Sequence, residues 1–292
     1  MISDENVERD SPETVGWTTV ITPHRGWMDW RLKQLWAYRD LVTLFVWRDF
    51  TSLYKQTILG PGWHVVQPLL ATLTFTVVFG QVAKMPTDGV PPFLFYLAGS
   101  VLWNYFAMTL TGTSSTFVSN ASLLGKVYFH RLAIPVSIVL SNLISFGIQL
   151  GIFFLVLAWY AFSGSPVRVT SDALLFPLLL LLLAGYGLGG GIVVSALTTR
   201  YRDLTKLITF GIQLLMFATP VVYPSSMVTG AVKRLVDLNP LTPVMEGFRL
   251  GFLGSGSLDL QQLAWSTVGM LALLVVGLAL FTHIERTFMD TV

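Results

Sequence analysis

Residues 54–83 read YKQTILGPGWHVVQPLLATLTFTVVFGQVA. A polar, basic tetrad is followed by the break Gly60-Pro61-Gly62, and from Trp63 to Ala83 there is no Asp, Glu, Lys or Arg. A helix that crosses the hydrocarbon core of a bilayer needs roughly 20 apolar residues. In lipid the backbone must satisfy its own hydrogen bonds, so such a run is a helix. The pattern recurs at 92–117, 134–160, 173–198, 207–223 and 261–283, again without a charged side chain. The run at 207–223 is short and ends in TPVVYP, which makes it the weakest of the set.

The composition agrees. The chain of 292 residues is 53% hydrophobic and 12% charged, against about 25% charged in soluble domains, and its mean hydropathy is +0.66. It has no cysteine, which removes disulfides and thiolate metal sites. A net charge of +2 makes no case for nucleic acid as a partner. The first thirty residues are polar, and they lack the basic-then-apolar layout of a cleavable signal peptide.

Orientation follows from where Lys and Arg fall. With the N-terminus inside, 13 of them lie in the cytoplasm, and only Lys84, Arg168, Lys233, Arg234 and Arg249 lie outside. The expectation is an all-α membrane protein with six transmembrane helices and both termini inside. Residues 1–30 form a polar N-terminal segment, 31–60 an amphipathic helix and loop, 61–285 the transmembrane domain and 286–292 a cytoplasmic tail.

Two non-spanning regions add detail. Residues 31–55 carry Leu32, Leu35, Val42, Val46 and Leu53 along one face, widened by Trp36, Trp47, Phe50 and Tyr54, with Arg48 and Lys55 opposite. This predicts an interfacial helix; a plain anchor with snorkelling Arg39 is the alternative. Residues 223–260 hold Pro224, Pro240 and Pro243 around apolar pieces at 231–238 and 243–253. That is long for a bare loop, and two short helices in the outer leaflet fit it. Gly147/Gly151, Gly185/Gly189 and Gly187/Gly191 have the GxxxG spacing of close helix packing.

Catalytic chemistry is thin. Charges inside spans mark ion sites and proton relays, and there are none. His24, His64, His130 and His283 have no metal-ligand spacing, and no GxxxxGK[ST] phosphate loop occurs. The pattern leaves a passive pore, a structural subunit or half of a machine powered elsewhere. SNASLLGKVYFHR (119–131) favours the last, with Leu123, Leu124, Tyr128 and Phe129 beside Lys126 and Arg131: an apolar knob with flanking charge suits docking to a soluble partner.

At this point the chain resembles a known family, the transmembrane subunit of ABC-2 type exporters for polysaccharides and polyol phosphates: O-antigen, capsule and teichoic acid permeases. The resemblance rests on TVITPHRGW (19–27), LWAYRDLVTLFVWRDF (35–50), YKQTILGPGW (54–63), GKVYFHRLAIP (125–135), RYRDLTK (200–206), TPVVYPSSM (219–227) and NPLTPVMEGFR (239–249), in that order. The sequence departs from the pattern at His130, where Phe-Pro-Arg is expected.

The resemblance implies a homodimer in the bacterial inner membrane, bound to two copies of a separate ATPase that would hold ATP and Mg. This chain would carry no cofactor and do no catalysis. The cargo would be an undecaprenyl-linked glycan. Arg39, Arg48, Tyr54, Lys55, Leu59, Gly60 and Trp63 would then form the gate and substrate entrance, and Leu123, Lys126, Tyr128, Phe129 and Arg131 the ATPase-coupling segment. Residues 223–250 would supply outer gate helices. Phe75, Phe79, Phe210, Phe217 and Tyr223 are candidates for an aromatic channel lining, since rings stack on sugar faces without fixing hydrogen bonds. Core or lipid-facing aromatics are the alternative for each. The rival functions are an ABC-2 exporter of a drug or small lipid, a structural membrane subunit, and a membrane-embedded glycan-modifying enzyme. The enzyme would need acid and base groups, for which only Arg200, Asp203, Glu246 and Arg249 are available.

Overall fold

The computed structural model describes residues 32–52, 58–120, 123, 129–200 and 204–288, and among these the regular structure is all helical. The helices are α1 (Leu32–Ala37), α2 (Arg39–Ser52), α3 (Trp63–Phe75), α4 (Pro92–Ser114), α5 (Thr116–Ser119), α6 (Ala133–Phe162), α7 (Phe176–Arg200), α8 (Leu204–Ala218), α9 (Gly230–Leu238), α10 (Thr242–Leu253) and α11 (Leu260–Phe288). A π-helical stretch, Thr76–Val82, extends α3. Among the described residues, five helical segments are long and apolar enough to cross a membrane: Trp63–Val82, Pro92–Ser114, Ala133–Phe162, Ser171–Thr198 and Leu260–His283.

These five coincide with five of the runs expected from the sequence. The sixth differs. The run 207–223 is helical only to Ala218, so α8 has 15 residues. At 1.5 Å per residue it rises about 22 Å, short of the roughly 30 Å hydrocarbon core. The cause is local: Thr219 precedes Pro220, and the residue before a proline is driven out of the α region. The chain then turns through Val221 to Tyr223. The two short helices expected in 223–260 are present as α9 and α10. Gly254, at φ +69°, closes α10 in the left-handed cap conformation.

The centre of the bundle is the pair α4 and α7. Of the residues in the most apolar stretch of α4, 72% are buried, against 11% in α3. The helices α3, α6 and α8 pack on α4, and α11 packs on α7. The glycines of α7 serve both of its faces. A Cβ at Gly185 would meet Met270 of α11 at 2.5 Å, and one at Gly189 would meet Leu273 at 3.2 Å. On the other side, a Cβ at Gly187 would lie 2.8 Å from Thr109 of α4, and one at Gly191 would overlap the Thr113 side chain. That closeness lets the Thr113 hydroxyl donate to the Gly187 carbonyl at 3.1 Å. By contrast, Gly147 and Gly151 of α6 face open space, so their GxxxG spacing packs nothing within the chain.

The two glycine sets therefore behave differently when filled. Gly191→Ala is expected to destabilise by roughly 1–3 kcal/mol through overpacking. Gly147→Ala adds helix propensity without a clash and is expected to be neutral or stabilising by up to about 1 kcal/mol. Thermal unfolding of the purified variants in detergent compares them. Equal midpoints would remove the tight α4–α7 contact from the account.

Candidate functional site

The entrance residues sit on α2 and at the start of α3. Helix α2 buries Val42 and Phe45 against Phe117, Phe129, Leu132, Ala133, Ile134 and Phe281. The sequence pattern identified Val42 and missed Phe45, whose ring meets Phe129 edge-on at 5.7 Å. Trp36 and Trp47, expected to widen the apolar face, are exposed. Arg39 is exposed and lies 3.8 Å from Asp40. Arg48 pairs with Asp49 at 2.7 Å and stands over the Phe45 ring at 4.7 Å. Each arginine of α2 thus has a carboxylate beside it, so the helix presents dipolar pairs rather than bare positive charge. Leu59 and Trp63 are exposed and Gly60 is half-buried. Tyr54 and Lys55 lie outside the described residues.

The aromatic candidates fall on α3 with its π-helical extension, on α8, and on the turn that follows α8. On α3, Phe75 and Phe79 are half-buried, 5.8 Å apart, and Phe79 leans on Tyr96 of α4 at 6.4 Å. On α8, Phe210 and Phe217 are exposed. Tyr223 is half-buried and its hydroxyl donates to the Phe217 carbonyl at 3.0 Å. Other rings do packing work instead: Phe153, Phe176, Phe248 and Phe252 meet edge-on or at a tilt and fix α10 against α6 and α7.

Of the coupling candidates, Leu123 is half-buried, while Phe129 and Arg131 are buried within the chain. Lys126 and Tyr128 lie outside the described residues. Phe129 and Arg131 therefore anchor the base of this segment, and Phe129 ties it to α2.

The most constrained polar group is a pair that sequence reasoning named only as acid–base candidates. Arg249 on α10 is 1% exposed and Glu246, one turn earlier, is 2%. Their side chains are 3.4 Å apart. The Arg249 guanidinium lies 3.8 Å over the Phe95 ring of α4 and donates to the carbonyls of Val221 at 2.7 Å and Tyr223 at 3.3 Å. The Glu246 carboxylate accepts from the backbone N–H groups of Ser225, at 3.2 Å, and Ser257, at 3.3 Å. Gly99 of α4 makes the room, because a Cβ there would come within 2.4 Å of the Val221 carbonyl. Burial pulls the Arg249 guanidinium down to about 10, with Glu246 as the main opposing charge, so it stays protonated at neutral pH. These two residues were the acid–base candidates of an enzyme reading. Here the two side chains bond to each other and to four backbone groups, which is the chemistry of a staple.

Removing one partner should cost far more than removing both. Arg249→Met strands a buried carboxylate, for which about 3–5 kcal/mol is expected, whereas the double variant Arg249→Met with Glu246→Gln should lose clearly less than the sum of the singles. A double-mutant cycle on thermal or denaturant unfolding reads the coupling; additive losses would mean the pair does not act as a unit.

Comparison with known proteins follows the same length of chain. Residues 40–253 match the ABC-2 type transporter family. An O-antigen export system permease protein RfbA of Klebsiella pneumoniae is 27% identical over 251 residues, covering 86% of this chain and 94% of that protein. One of the same name from Myxococcus xanthus is 27% identical over 263 residues, covering 89% and 98%. With apolar helices of spanning length through that region, the chain is an integral, multi-pass membrane protein, and it belongs to the ABC-2 type transporter family.

Proposed function

We propose that this chain is the permease subunit of an ATP-driven exporter that moves a lipid-linked polysaccharide across the bacterial inner membrane. The observation that carries the reading is the nearly end-to-end similarity to O-antigen export permeases. A chain with no charge inside its spanning runs has no ion-coupling machinery of its own, so energy comes from a separate ABC ATPase that binds ATP and Mg. Both termini and the 119–131 segment face that partner, and the α9–α10 layer lies on the outer side.

The channel forms between two copies of the chain. Helix α3 is the least buried of the five spanning helices, and α8 exposes Leu207, Phe210, Leu214 and Phe217. Both pack on α4, and these two sparsely covered helices carry most of the aromatic candidates. A second copy placed there closes a seam that a glycan can slide along, with rings that offer contact area and few fixed hydrogen bonds. ATP-driven motion enters at the 119–131 segment and reaches the entrance helix through the Phe129–Phe45 contact.

Two experiments test this. A strain lacking the gene is expected to accumulate a long undecaprenyl-linked saccharide inside the cell, read by mass spectrometry of extracted lipids; a normal pool with unchanged surface glycan would remove the polysaccharide reading. The native chain has no cysteine, so single cysteines report cleanly on the seam. Phe217→Cys is expected to give an oxidised dimer in membranes and Leu155→Cys, on the exposed face of α6, is not. The reverse result would place the interface elsewhere.

A further inference from the structure

A cavity of about 340 Å³ opens between α3, α4 and α6, on the side of α3 that faces its own bundle. Its walls include Gly60 just before α3, Trp63, His64 and Gln67 from the start of α3, Asn104 from α4 and Gln149 from α6. Three amides and an imidazole meeting an otherwise apolar interior is an unusual composition for packing alone. Gln149 is 4% exposed and its Oε1 has no hydrogen-bond partner. An unpaired buried acceptor costs on the order of a full desolvation penalty, and a native structure tolerates it where something else fills the need. One turn before it, the Ser145 hydroxyl is within 3.3 Å of His64 Nε2, which fixes the imidazole at the cavity wall.

The chemistry of the lining selects the ligand class. Among the described residues no Lys, Arg, Asp or Glu lines it, so the described walls offer nothing to neutralise a phosphate. It offers neutral donors and acceptors in the amides, and an indole at the rim. That is the set that holds hydroxyl and amide groups of an uncharged ring while an aromatic covers an apolar face. The volume is at the low end of the roughly 300–1,000 Å³ of small-molecule sites, enough for one or two rings and not for a polymer. We propose that this cavity is a recognition site for an uncharged glycosyl unit of the lipid-linked cargo, held by Gln149 and Asn104, beside the entrance and apart from the channel seam. The proposal rests on the export reading above and names the part of the cargo that this chain reads.

The test uses the full-length chain in nanodiscs and two probes: undecaprenyl pyrophosphate, and the same lipid bearing one N-acetylglucosamine. The sugar-bearing probe is expected to bind about tenfold more tightly, the value of roughly one hydrogen bond to an otherwise unpaired buried group. Gln149→Met keeps the side-chain shape and is expected to erase that preference while leaving the bare lipid's Kd unchanged. Asn104→Leu, on a different helix, should do the same, so the test survives if one variant fails to fold. Gln149→Met should also keep or raise the thermal midpoint, because it removes an unsatisfied acceptor; a purely structural glutamine would lower it. Equal weakening of both probes would assign the cavity to the lipid or its pyrophosphate and overturn the proposal. So would unaltered sugar preference in both variants, or no preference in the native chain. The export reading stands or falls separately, on the lipids that accumulate in the deletion strain.

Discussion

The close approach of α4 and α7 sets the position of everything else. In lipid there is no hydrophobic gain from putting one apolar helix against another, since acyl chains are as apolar as Leu. Association then depends on contact area and on hydrogen bonds that need short distances. Gly187 and Gly191 give both: they let Thr109 and Thr113 sit against the α7 backbone, and Thr113 bonds to a carbonyl across the interface. A second link, from the Thr198 hydroxyl to the Ser114 carbonyl at 3.2 Å, closes the far end of the same pair. Because the opposite face of α7 is also glycine-lined, α11 approaches as closely, and one helix becomes the shared wall of two tight interfaces.

A different physics holds the segment between α8 and α11. There the chain leaves helical structure at Pro220, and its carbonyls need donors. Water would provide them at a surface, but Val221 and Val222 are buried. Arg249 brings a fork of donors to that strand of backbone, Glu246 caps two N–H groups, and the Phe95 ring shields the cation. The staple thus joins three sequence-distant pieces, around 95–99, 221–225 and 246–257. It also accounts for the end of α8: the non-helical turn that follows it is buried, and protein side chains satisfy its backbone.

Much of the helical layout was legible in the sequence, because a run of about 20 uncharged residues has few alternatives. The starts at Trp63 and Pro92 and the pieces that became α9 and α10 were readable from proline, glycine and the loss of charge. What could not be read shares one property, that its partner is remote in sequence. Phe45 is one aromatic among several on α2, and only Phe129, far along the chain, selects it for burial. Glu246 and Arg249 read only as candidate acid and base groups three residues apart, and nothing local says that backbone from 221–225 and 257 closes over them. The GxxxG spacings gave opposite outcomes in α6 and α7, because the motif states that a helix can be approached and not that one approaches.

The uneven burial of the spans bears on mechanism. A transporter needs a rigid frame and at least one element that can shift against it, and the low-stability elements are those with few buried contacts. The frame here is α4 and α7, fixed by glycine contacts and short hydrogen bonds. The sparsely held element is α3, which carries a proline inside its helix at Pro68 and a π-helical stretch, Thr76–Val82, at its far end. Both features weaken the regular hydrogen-bond ladder. The polar cavity lies at the first turns of this same helix, against the frame. A ligand seated between His64 on the loose helix and Gln149 and Asn104 on the other two adds cross-links where the protein alone provides few, so occupancy changes how firmly α3 is held. On the proposed reading, recognition of cargo and freedom of α3 are one equilibrium, set by whether Gln149 has a partner.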